Sequence, residues 1–171
     1  MGYTSSNTAN FTRGSGEDLY RRSLYTFWKR TSPPPALTLL DAPSREACTV
    51  TRARTNTPLQ ALALMNDVQF VEAARALAER VLREGGATDE ERAGWAFRLA
   101  TARRPEPGEL AVLLRLVEAQ RAEYTSSGAD AEALLGVGES APDPELDPAE
   151  LAAWTAAASL ILNLDEVLTK G

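Results

Sequence analysis

Histidine is absent from all 171 residues, and cysteine occurs once, at Cys48. Without imidazole, a Ser-His-Asp arrangement, zinc sites that need histidine and haem attachment through C-x-x-C-H are excluded from this chain. One cysteine also excludes an intrachain disulfide and leaves the redox compartment unmarked. No apolar run approaches the length of a bilayer span, and the N-terminal MGYTSSNTANFTRG lacks the basic start and apolar centre of a signal peptide. Runs of alternating β-branched residues are missing too, which removes the strand signal. Any catalysis would rest on carboxylates, lysine, tyrosine, serine or threonine, and no catalytic, cofactor-binding or metal residue can be named.

What is present is ordinary for a globular chain: 44% hydrophobic and 25% charged residues, enough for one domain with a real core. Charge is uneven. Residues 1–54 hold eight Arg/Lys against four Asp/Glu and residues 55–171 hold ten against twenty, which recovers the net −6. A mostly acidic surface repels phosphate, so neither nucleic acid nor a membrane is expected as a partner.

Periodicity and caps predict helices almost throughout, hence an all-α irregular helical bundle with a long Pro-rich loop near the N-terminus. Residues 1–16 read as a polar lead and 17–171 as one helical domain. DLYRRSLYTFWKR predicts a short helix with aromatics on more than one side. TSPPPALTLLDAPSREACTV reads as largely irregular, because prolines push their predecessors towards extended backbone. Thr57-Pro58-Leu59-Gln60 is a capping box with proline at the first helical position, opening a helix over Pro58 to about Asn66. Asp67 caps the next, whose apolar positions include Phe70, Val71, Ala74, Leu77, Ala78, Val81 and Leu82, and Gly85-Gly86 ends it. Thr88 opens a second capping box, and Asp147 caps a last long helix with Leu151, Trp154, Ala158, Ile161 and Leu162 on one stripe. Before it, GVGESAPDPELDP has the composition of an exposed, mobile loop.

Capping leaves an arginine-rich corner around TRARTNTPLQ. Arg22, Arg45, Arg52, Arg54 and Asn56 suit a pocket for a carboxylate, sulfate or sugar acid, since guanidinium forks match such anions. They suit better still the fixing of a long loop, with Asp67, Glu72, Asp165 and Glu166 as partners, and Arg52 or Arg54 tying the Thr57 helix to the C-terminal NLDE. Asp165 and Glu166, as sequence neighbours on a helix, point apart and make no acid–base dyad. Cys48 reads as a small core residue, and Trp28, Trp95 and Trp154 as core anchors.

The stretch from Arg21 to Val81, above all RTNTPLQAL, resembles the domain of unknown function numbered 1553 (DUF1553). The likeness continues through RLATARRPEPGEL and AAWTAAASLILNLDEVLTKG, over roughly residues 17–171, with Val68 and Val167 as departures from its usual residues. The resemblance implies the C-terminal part of a larger, planctomycete-type protein, secreted or periplasmic, that often carries a cytochrome-c-like domain upstream. It supplies no reaction, and haem binding does not carry over to a segment without ligands for it. Two expectations follow. One is an interaction or scaffolding module whose partners are the upstream domain of the same protein and other proteins or an anionic saccharide. The other is part of an enzyme acting on an anionic or polysaccharide substrate, its active site shared with upstream chain.

Overall fold

A computed structural model describes residues 13–26, 28, 32–44, 46–51, 53 and 55–168. Among these are eight α-helices and no strand. The chain divides into two compact units, residues 1–63 and 64–171.

In the first unit, no α-helix forms over the described residues of DLYRRSLYTFWKR, 18–26 and 28. Two short 3-10 turns stand there instead, Gly16–Tyr20 and Ser23–Tyr25, separated by extended backbone at Arg21 and Arg22. The segment has no side-chain cap at Ser15 and no single apolar face to bury, so nothing offsets the cost of nucleating a helix. The Pro-rich stretch is less irregular than expected, because Pro35 starts a one-turn helix, α1 (Pro35–Leu39), with proline at its first position. Cys48 is exposed in a loop rather than buried in a core. The capping box is formed by hydrogen bonds: Gln60 N donates to Thr57 Oγ1 (3.2 Å) and Thr57 N to Gln60 Oε1 (2.7 Å), opening α2 (Pro58–Asn66).

The second unit is organised around α7 (Pro148–Leu162). Seven of its positions between Leu151 and Ala158, and Ile161 as well, are buried, so the helix is covered around most of its circumference rather than along one stripe. Small residues make this possible: Ala152, Ala153 and Ala157 are fully buried and let neighbours approach, while Trp154 fills the centre. Packed on it are α3 (Val68–Glu84), α4 (Asp89–Thr101), α5 (Pro107–Ser126), α6 (Gly128–Leu135) and the terminal turn α8 (Asp165–Leu168). Ala74, Ala78, Val81, Phe97, Leu113 and Val117 supply their side of the core.

Caps set the helix starts. Asp67 accepts from Gln69 N, Thr88 and Glu91 form a reciprocal box, and Asp147 accepts from Glu150 N. Gly94 lies in the middle of α4, where glycine costs about 1 kcal/mol relative to alanine. A Cβ added there would meet nothing, so packing does not require the glycine.

Candidate functional site

Arg45, Arg52 and Arg54 lie outside the described residues. Arg22 is exposed before the second 3-10 turn, and Asn56 is exposed ahead of α2. What converges there is a polar knot on Gln60, which is 3% exposed. Its Nε2 donates to Leu39 O (2.8 Å), Thr55 Oγ1 (2.9 Å) and, more weakly, Asp41 Oδ2 (3.3 Å). Thr55 donates its amide and hydroxyl to the Asp41 carboxylate at 2.8–2.9 Å. Asp41 itself sits in the left-handed region at φ 60°, a conformation aspartate tolerates better than most residues. The T-x-T-x-x-Q pattern therefore stitches the end of α1 to the start of α2.

The second unit contains three arginine-centred ties. Arg103 grips Glu109 (2.7 and 2.8 Å) and Glu166 (2.7 and 3.0 Å) through paired bonds, with its guanidinium 4.7 Å from the Phe97 ring centroid. Among the described residues Glu166 pairs with Arg103, which ties the C-terminal turn to the α4–α5 connection; the expected tie from Arg52 or Arg54 lies outside the described residues. Arg103 first, and the Glu106 amide next, hold the Glu109 carboxyl down at about 2. Arg121 of α5 binds Glu150 of α7 (2.6 and 2.8 Å) and Asp89 of α4 (2.9 Å), and Trp154 Nε1 donates to the same Glu150 (2.9 Å). Arg121 is the main cause of a lowered Glu150 pKa, against the opposing pull of burial.

The third tie was not legible as a site. Arg75, 2% exposed, donates to Leu135 O (2.9 Å), Ser140 O (2.7 Å) and Ser140 Oγ (2.7 Å). Glu72, 3% exposed and 3.7 Å from that guanidinium, accepts from Ser140 N (2.7 Å) and from the Ser140 hydroxyl. Glu79 takes the Asp143 amide and Arg83 pairs with the Asp143 carboxylate. The loop after α6 is therefore pinned along α3 at four positions, where composition read as mobile. Gly138 is needed in it, with φ +110° and a hypothetical Cβ 2.5 Å from Glu72 Cδ. A sequence signal existed: Arg75 falls in phase with Val71, Ala78 and Leu82, on the core stripe itself.

Two concavities of this unit are formed by described residues. One, of about 400 Å³, is lined mainly by apolar atoms of Met65, Val71, Leu116, Tyr124 and Leu160. Burial, then the charges of Asp130 and Glu123, raises the Tyr124 pKa. The other, of about 630 Å³, lies at the α3–α4 turn and the α4–α5 connection, where Gly94, Trp95, Arg98, Arg104 and Glu90 line it. Among the described residues no group of three or more Cys, Asp or Glu side chains is placed to hold a metal ion, and no helix is long and apolar enough to cross a membrane.

No curated protein and no solved structure matches the chain. Residues 2–117 match the family described as PSD1, protein of unknown function (DUF1553), and since this is more than half of its length, the chain belongs to that family.

Proposed function

We propose that the chain is a helical interaction module of a larger extracytoplasmic protein, with the upstream part of that protein as its first partner. The observation that carries this is the surface of the first unit. Tyr20, Leu24, Tyr25, Val50, Leu59 and Leu62 are all more than half exposed, while Leu19 is the one large apolar side chain buried there among the described residues. Among the described residues the unit is joined by the Gln60 knot more than by buried apolar side chains, which supports a reading of the exposed apolar groups as a partner surface. The convergent carboxylates of the second unit also suit architecture better than acid–base work. Glu109 and Glu150, held below their ordinary range by arginine, are poor proton donors near neutrality.

The chain by itself is expected to bind an apolar dye strongly and to self-associate in sedimentation experiments. Both effects should fall when the upstream domain is supplied, and dye binding should fall in Leu24→Ser/Tyr25→Ser. A monomeric, dye-silent chain would overturn the reading.

A further inference from the structure

Most arginines of the second unit are engaged by the chain itself: Arg75, Arg80, Arg83, Arg92, Arg103 and Arg121 all pair with carboxylates. Arg98, Arg104 and Arg115 differ. All three guanidinium groups are exposed and make no hydrogen bond or ion pair with any described residue, and of the three Arg98 and Arg104 line the same 630 Å³ cleft. The cleft also holds Glu84, Glu90 and Glu91, yet neither arginine pairs with them, which leaves two guanidinium forks open to an incoming anion.

The rest of the lining restricts what that anion is. Trp95 presents a half-buried indole to the cleft; Arg80, which does not line it, lies 5.3 Å from the ring centroid. Pro105 and Leu110 extend the apolar wall. The lining also includes Glu84, Glu90 and Glu91, the last two on α4 with Trp95 and Arg98. Glu84 is bound by Arg80, and Glu91 is occupied with the Ala87 and Thr88 amides, which leaves Glu90 as an open acceptor on this wall. An aromatic face, two guanidinium forks and a carboxylate acceptor together match a sugar ring. In such a fit the C–H face would lie on the indole, ring hydroxyls would donate to Glu90, and an acidic substituent would meet Arg98 and Arg104. A simple inorganic anion would use the arginines and leave the other walls unexplained.

Gly94 points the same way independently. It lines the cleft from mid-helix, where glycine is unfavourable, and open space lies where its Cβ would stand. Any side chain there would project towards a ligand while improving the helix, so the glycine is accounted for by keeping the cleft clear.

We propose that this cleft binds an acidic sugar unit, a hexuronate or a sulfated hexose, through Arg98, Arg104, Trp95 and Glu90. The proposal does not depend on the apolar surface of the first unit. Calorimetric titration of the chain with a uronic-acid tetrasaccharide, a sulfated tetrasaccharide, a neutral tetrasaccharide and sodium sulfate tests it. At least one acidic tetrasaccharide is expected to bind saturably, the two arms telling carboxylate from sulfate, with the neutral sugar and sulfate ion weaker by about tenfold or more. Arg98→Gln/Arg104→Gln should weaken that binding by about tenfold or more, whereas Arg115→Gln, which removes a charge away from the cleft, should leave it unchanged. Gly94→Ala should raise the melting temperature and weaken binding together, which separates loss of the site from loss of the fold. The proposal is overturned if neither acidic tetrasaccharide binds at about 10 mM, if sodium sulfate binds as tightly, or if Gly94→Ala and the double arginine variant bind like the native chain.

Discussion

Single residues here do work that their type alone does not suggest. Arg75 is a charged side chain on the core stripe of α3, and it is tolerated because two carbonyls, one hydroxyl and a nearby carboxylate engage its two terminal nitrogens, while its buried Nε has no partner among the described residues. Replacing it removes the anchor of the loop after α6 and leaves Glu72 buried beside apolar atoms. Arg75→Met is therefore expected to cost about 3–5 kcal/mol in denaturant unfolding. Amide exchange at Ser140 should accelerate before that of α7. Unchanged stability would show that the loop is held by the Glu79 and Arg83 contacts instead. Composition gave the opposite impression of this loop, because glycine, proline and acidic residues describe what a segment is made of and not which helix offers it partners.

At the scale of elements, the helix starts were written locally. A hydroxyl three residues ahead of a Gln or Glu can cap and be capped whatever surrounds it, and the bonds at Thr57/Gln60 and Thr88/Glu91 need nothing distant. Thr57→Ala removes the acceptor for Gln60 N while leaving the knot's own donors in place. It should cost about 1 kcal/mol in thermal or denaturant unfolding, without altering sugar binding at the α4 cleft. Over the described part of DLYRRSLYTFWKR the expected helix failed for a related reason: aromatic residues on several sides define no face, and no cap compensates. For α7 the stripe of apolar residues was legible, but not its near-complete enclosure, because alanine is compatible with an exposed helix as well as a central one.

Across the whole molecule, ties between distant segments decide the response to acid. Arg103 joins the end of α4, the start of α5 and the terminal turn through Glu109 and Glu166. Glu109 has a folded-state pKa of about 2 against an ordinary value of 4.5, mainly because Arg103 binds its ionised form. A depressed carboxylate contributes stability that is full above pH 4.5 and lost as pH falls towards 2. Melting temperature followed across that window should fall less steeply in Glu109→Gln, which can still accept from the Glu106 amide, than in the native chain. Parallel curves would show that Glu109 does not couple to folding. By itself the sequence determined the all-α class, most helix boundaries and the caps, because period, proline position and hydroxyl placement act within a few residues. Only the tertiary structure decided that Gln60 gathers Asp41 and Thr55, that Arg103 claims Glu166, and that Arg98 and Arg104 are left unpaired beside Trp95. Those outcomes depend on which side chains meet across tens of residues, and an arginine's pairing is fixed by the carboxylates that reach it first in space.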